Sequence, residues 1–419
     1  MLPRLRFPEF REAGAWEEKR LGDVAKFTGG GTPSKGNEGY WNGNLPWISS
    51  SDISEDSIFD LHPHRFITEQ AIKESATKIV PANSILLVSR VGVGKLAISN
   101  KPICTSQDFT SLTPMEGNLV FFAYLLKSRK TDLLAFNQGM AIKGFTKDDI
   151  TKLSVLLPSP PEQQKIADCL SSLDDLITAR GRKVAALERH KKGLMQQLFP
   201  ATGQTTPQLR FPEFREAEAW EISSIDENAI KVGSGITPRG GSKNYRAKGR
   251  PFIRSQNIGW GKLLLDEAIY IDEETHSTFA ASEIQLNDVL LNITGASIGR
   301  SAVADERISG GNVNQHVCII RVNPDKLIPL FLNQFLISDD GQRQIDSFQA
   351  GGNREGLNFA QIRSFDLPLP SPPEQQKIAD CLTSLDDLIR AEAQKLGALK
   401  AHKKGLMQQL FPTPDGGAP

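Results

Sequence analysis

A chain of 419 residues, 39% hydrophobic and 23% charged, has material for two or three domains, each large enough for its own core. Lys plus Arg equals Asp plus Glu at 49 each, which excludes attraction to a polyanion by bulk charge and leaves any nucleic-acid argument to local patches. No apolar run approaches membrane-spanning length and no signal peptide opens the chain, so a cytoplasmic protein without a membrane partner is expected.

In chain order, the first phrase is PRLRFPEFREAGAW at Pro3 to Trp16. A body follows from about Leu21 to Leu156, in which Gly29, Gly30, Gly31 and Pro33 interrupt the chain early. Leu45 to Ile48 and Ile85 to Val88 read as buried strands, and Val120 to Leu134 as a short helix. The segment from Leu157 to Pro200, LPSPPEQQKIADCLSSLDDLITARGRKVAALERHKKGLMQQLFP, then reads as one long helix. Pro160 and Pro161 suit its first turn, where a missing N–H costs little, and Glu162 complements the positive end of the helix dipole.

The order then repeats. PQLRFPEFREAEAW returns at Pro207 to Trp220, and the helical segment returns nearly unchanged from Leu369 to Pro412. Between them lies a second body on the same plan in a diverged sequence: Thr32-Pro33 answers Thr237-Pro238, PWISSSDI at Pro46 to Ile53 answers PFIRSQNI at Pro251 to Ile258, and ILLVSRVGVG at Ile85 answers LLNITGASIG at Leu290. Expected divisions are therefore 1–156, 157–200, 201–368, 369–412 and a disordered tail at 413–419. Helices copied unchanged look like a fixed frame. Bodies that keep turns but change polar residues look like two readers of different targets.

Each helix carries a seven-residue seam: Ile166, Leu173, Arg180, Leu187 and Leu194 in the first, Ile378, Leu385, Glu392, Leu399 and Leu406 in the second. Such a seam points to a coiled coil. Two equivalent units close most simply about a pseudo-twofold axis, which runs the helices antiparallel. The expected register sets Ile166 near Leu406, Leu173 near Leu399, Leu187 near Leu385 and Leu194 near Ile378, with Arg180 facing Glu392. The fold class expected is α+β, with two similar bodies separated by two long helices packed as an antiparallel coiled coil. The basic stretches Arg189 to Lys192 and Lys400 to Lys404 read as solvated helix ends. Cys104, Cys169, Cys318 and Cys381 show no ligand spacing and read as reduced core thiols.

The LRFPEF…W opening, the Thr-Pro and PWI turns, LPSPPEQQKIAD at the helix start and KKGLMQQLF at its end resemble the specificity subunit of a type I restriction-modification system, over essentially the whole chain up to Thr413. The resemblance implies that each body is a target-recognition domain reading one half of a split double-stranded DNA site. It also implies that the helices are a spacer docking two modification (methyltransferase) subunits, and that restriction (endonuclease and translocase) subunits complete the complex. No cofactor is expected in this chain. S-adenosylmethionine, ATP and Mg2+ would be used by the partners.

A DNA reader needs Lys and Arg for phosphates and amide, hydroxyl or guanidinium groups for base edges. The first body offers Lys35, Asn37, Ser49, Ser50, Ser89, Arg90, Gln107, Asn137, Gln138 and Lys143 in its loops. The second offers Arg239, Lys243, Asn244, Arg246, Arg254, Ser255, Gln256, Asn257, Asn292, Thr294, Asn314, Gln315, Asn353 and Arg354. Arg254 with Gln256 and Asn257 is the favoured base-contacting cluster, since Arg pairs bidentately with guanine and Gln or Asn with adenine.

Enzyme readings fare worse. Gly92-Val93-Gly94-Lys95 resembles a phosphate loop, but Leu96 stands where Ser or Thr is required and Ser89 where Gly is, and no HExxH, GxSxG or GxGxxG occurs. No catalytic residue and no metal ligand is assigned. The rival classes are a coiled-coil interaction scaffold without DNA recognition and a self-sufficient nuclease or methyltransferase.

Overall fold

The computed structural model describes residues 1–136, 144–349 and 356–412; the expected disordered tail, 413–419, lies outside them. The chain forms two compact units, one of residues 1–181 with 394–419 and one of residues 182–393. Each unit thus contains one body and half of each long helix.

In the first unit, β1 (Glu17–Arg20) pairs antiparallel with a late strand, Ser154–Leu157. A four-stranded antiparallel sheet joins β2 (Ala25–Gly29), the strand Thr110–Pro114, the strand Ser84–Leu87 and the strand Leu96–Ser99, in that spatial order. A second sheet orders Arg65–Ile67, Leu45–Ile48, Ile103–Thr105 and Ile79–Val80, and its Leu45–Ile48 and Ile103–Thr105 strands run parallel. The expected strands at Leu45 and Ile85 are present. The second starts one residue early, at Ser84, and all four of its residues are buried, as a strand covered on both faces requires.

The helix expected over Val120 to Leu134 is two helices, α1 (Leu119–Ser128) and α2 (Lys130–Ala135). Asn118 caps α1 by accepting from Phe121 N at 2.8 Å, the usual service of Asn at this position. The break falls at Arg129, which is buried and ion-paired with Asp132.

The second unit repeats this plan with its own four-stranded antiparallel sheet, of Ala229–Ser234, Val317–Val322, Val289–Asn292 and Ser301–Val303. Its smaller sheet has three strands, Ile269–Ile271, Arg250–Ile253 and Asn312–Val313.

The two copied segments are helices of 39 residues each, α3 (Pro160–Leu198) and α4 (Pro372–Leu410). Every expected seam position is buried or half-buried. The packing within the second unit is antiparallel: moving along α3 from Lys183 to Lys191, the partners on α4 move back from Glu392 to Asp386, at 3.2 and 2.7 Å. In the first unit the equivalent pair joins Lys403 of α4 to Asp174 of α3.

One correction follows from these pairs. Lys191 and Lys403 are not solvated helix ends, being only 9% and 7% exposed. Each has found a carboxylate, the condition under which lysine is buried at all.

The copied phrases have a structural task that explains their copying. Leu5 N donates to Gln409 O at the end of α4 (3.1 Å), while Arg6 grips Glu162 at the start of α3 through Nε and Nη2 at 2.8 and 2.7 Å. In the second unit Leu209 N donates to Gln197 O (2.9 Å), and Arg210 grips Glu374 at 2.7 and 2.8 Å. Each LRFPEF segment is a latch over one helix start and one helix end. Gln163 completes the start, donating to Pro158 O at 2.9 Å and accepting from Asn118 N at 3.0 Å.

Glu162 and Glu374 are each 1% exposed, so more than a dipole contact is at stake. Arg210→Ala strands Glu374 as a buried, unpaired charge and is expected to destabilise the second unit by about 3–5 kcal/mol, measured by denaturant unfolding. A loss below about 1 kcal/mol, typical of surface ion pairs, would contradict the latch.

Aromatic rings close each core. Phe121 of α1 meets Phe411 with centroids 5.5 Å apart, and Phe199 meets Phe331 at 5.4 Å. All four cysteines are free. Burial pushes the Cys104 thiol up to about 11 and the Cys318 thiol to about 12, which keeps both protonated and unreactive. No helix among the described residues is long and apolar enough to cross a membrane.

Candidate nucleic-acid interface

The candidate loops of the first body converge on one turn, Ser106 to Asp108, which carries the chain from the strand Ile103–Thr105 of one sheet to the strand Thr110–Pro114 of the other. Backbone hydrogen bonds draw three further loops to it. Ser106 N donates to Ile48 O (2.8 Å), beside Ser49 and Ser50; Ser89 N donates to Asp108 O (2.7 Å), beside Arg90; Gly31 N donates to Thr105 O (2.8 Å), beside Thr32. Gly30 permits the last approach, since a Cβ there would lie 1.9 Å from Ser106 O.

The second body builds a similar hub at the equivalent turn. Asn314 N donates to Ile253 O (3.0 Å), beside Arg254; Ile293 N donates to His316 O (3.0 Å), beside Asn292 and Thr294; Gly235 N donates to Asn314 O (3.2 Å), close to Thr237. A Cβ on Gly235 would stand 1.6 Å from Val313 O. Residues scattered over the sequence are brought together because both sheets end at this junction.

The structure separates presenting from positioning side chains. Lys35, Asn37, Arg90, Gln107, Arg239, Lys243, Arg246, Gln256 and Gln315 are exposed, and Ser49, Ser50, Asn244, Arg254, Ser255 and Thr294 are half-buried. Ser89, Asn257, Asn292 and Asn314 are buried and spend hydrogen bonds inside the fold. Ser89 Oγ donates to Asp108 O (3.0 Å), Asn292 Nδ2 to Ser255 O (2.8 Å), and Asn314 Oδ1 accepts from His316 N (3.0 Å). Asn257 accepts from Arg254 N (3.0 Å) and donates to Leu264 O (3.0 Å), so it caps the turn that presents Arg254 and Gln256 and does not itself face outward. Asn137, Gln138, Lys143, Asn353 and Arg354 lie outside the described residues.

Several presenting groups are held in place. Arg246 Nη2 binds Asp272 at 2.9 Å, and Asn244 Nδ2 donates to Arg239 O at 2.7 Å. Asn37 Oδ1 accepts from Gly39 N at 3.1 Å. Arg254 lies 5.7 Å from the Tyr245 ring centroid, which restrains the guanidinium, and its Nη2 donates to Glu267 O at 3.5 Å. Its Nε is buried without a hydrogen-bond partner among the described residues.

Arg65 is absent from the residues expected from sequence. It comes from a different strand, yet its Nη2 donates to Ser49 Oγ at 2.8 Å and its guanidinium lies 4.6 Å from the Trp47 ring centroid. Ser49 is the counterpart of Arg254, so both bodies set a stacked guanidinium by the same turn. The missing cation in ISSSD, against IRSQN, is the only signal the sequence offers. Arg65 also pairs with Asp52. Burial opposes ionisation of Asp52, but hydrogen bonds from Ser49 and the nearby Arg65 outweigh it and hold the carboxyl below its usual range.

Fold and site together define a class: a protein with two homologous α+β recognition bodies, each mounted on copied helices and each presenting a differently furnished loop hub. The chain belongs to the type I restriction modification DNA specificity domain family, whose model matches residues 14–189 and 218–401. It is 25% identical over 418 residues to the type I restriction enzyme MjaIX specificity subunit of Methanocaldococcus jannaschii, covering 94% of this chain and 92% of that one. Over 175 residues, 40% of this chain and 43% of the relative, it is 35% identical to the EcoR124I/EcoR124II specificity subunit of Escherichia coli. The crystal structure of a type I restriction-modification S subunit from M. genitalium shares the fold with TM-score 0.63 at 16% identity, covering 99% of this chain and 100% of that one.

Proposed function

We propose that this chain is the DNA-reading specificity subunit of a type I restriction-modification complex, each body reading one half of a bipartite double-stranded site. The observation that carries this reading is the hub built twice around equivalent turns, each joined by its first residue, Ser106 or Asn314, to the end of an equivalent strand at Ile48 or Ile253, with different presenting side chains. Shared geometry fixes how DNA is approached, and changed side chains alter what is read. The two long helices serve as spacer and as the docking element for two modification subunits, with restriction subunits completing the complex. Methyl transfer from S-adenosylmethionine, and ATP- and Mg2+-dependent translocation and cleavage, belong to those partners.

Sequencing methylated bases in cells carrying this chain and its modification partner tests the proposal. A split motif should be present and should vanish on deletion of this chain; a motif that survives deletion would refute it. Arg254→Ala should weaken binding to the cognate duplex by about 1–3 kcal/mol while sparing random duplex. Equal loss on both would make Arg254 a phosphate contact.

A further inference from the structure

Both hubs carry at their centre a glutamine held by the threonine of a Thr-Pro turn. Thr32 Oγ1 donates to Gln107 Oε1 in the first body, and Thr237 Oγ1 donates to Gln315 Oε1 in the second. The turn beneath is braced alike in both: Asp108 N donates to Ser106 Oγ at 3.3 Å, and His316 N to Asn314 Oδ1 at 3.0 Å. The residues on either side differ, Ser106 and Asp108 against Asn314 and His316, while the glutamine and its threonine coincide. Both glutamines are exposed.

A hydroxyl held on the amide oxygen fixes the orientation of the carboxamide and turns its NH2 group outward. In the first body neither amide hydrogen has a partner among the described residues; in the second, Gln315 Nε2 lies 3.0 Å from His316 Nε2, which leaves one free. A bidentate glutamine contact to adenine uses the amide oxygen as acceptor as well as the NH2 as donor. A phosphate accepts only. Two bodies that read different half-sites have the sugar-phosphate backbone in common.

From these observations we propose that Gln107 and Gln315 are sequence-independent phosphate contacts, one per body, pre-oriented by Thr32 and Thr237 so that each body meets its DNA segment in the same pose. This rests on the specificity-subunit reading and adds to it a division of labour inside the hub: a shared positioning amide, surrounded by side chains that differ.

The test uses the full chain in complex with its modification subunits, binding its own methylated motif as duplex and a scrambled duplex of equal length. Gln107→Ala and Gln315→Ala should each lower affinity for both duplexes by the same factor, about tenfold. The methylated motif and the salt dependence should not change, because a neutral amide releases no counterion. Gln107→Glu keeps an acceptor for Thr32 but turns a carboxylate to the phosphate, and should lose more than Gln107→Ala. Thr32→Val frees the amide to rotate and should lose less.

Loss on the cognate duplex alone, or a changed base in one half of the motif, would make the glutamine a base reader and overturn the proposal. No loss on either duplex would overturn it as well. Co-purification with the modification subunits and unchanged unfolding separate these outcomes from misfolding. If the unmutated complex prefers no split site, the functional reading itself fails, whereas the glutamine test is read as a ratio of variant to unmutated complex.

Discussion

Replacing residues 21–156 with the corresponding body of a relative should change one half of the methylated motif completely and leave the other half as it was. The expectation follows from where the body is anchored. Its first-unit frame is made by Arg6, Glu162, Gln163 and Phe411, all outside the exchanged segment, so a graft meets the same latch. Inside positions that touch the frame need matching, among them Phe121, which meets Phe411, and Tyr124. Tyr124 donates to Asp174 at 2.6 Å, and in the second unit Gln334 donates to Asp386 at 3.0 Å, so a donor bearing Tyr or Gln there keeps the helix carboxylate satisfied. Methylation sequencing reads the result, and a change in both halves would sink the assignment of one half-site to each body.

Lys403→Met is expected to destabilise the first unit by about 3–5 kcal/mol, because Asp174 is left as a buried charge. The side chains of Lys403 and Asp174 are 9% and 8% exposed, and the Tyr124 hydroxyl supplies the remaining contact to the carboxylate. Lys191→Met in the second unit should cost less, since its partner Asp386 is 23% exposed and water takes up part of the lost interaction. The double variant Lys403→Met with Asp174→Leu should recover most of the loss, as apolar replacement of a whole buried pair commonly does. Unfolding midpoints of the three variants provide the measurement. Equal, small losses in both units would show that the pairs are surface decoration.

Internal repetition makes much of the organisation legible in the amino-acid sequence. Two copies of LPSPPEQQKIAD and KKGLMQQLF mark two helices doing one job, and paired turns such as Thr32-Pro33 and Thr237-Pro238 mark two bodies on one plan. The heptad step locates a seam whose members are all buried or half-buried.

What the sequence by itself determined is therefore the local and periodic part: where helices and turns begin, which residues are polar in the loops, and that the plan occurs twice. Tertiary structure decided what each polar residue does. Asn257 and Gln256 are neighbours in sequence, yet one caps a turn and the other faces outward; Lys191 and Lys192 are neighbours, yet one is buried against Asp386 and the other exposed. Arg65 enters the hub from another strand, beyond the reach of any local pattern. The physical reason is common to these cases. Secondary structure follows from interactions within a few residues, whereas the burial or presentation of a polar group depends on whether a distant segment brings it a partner.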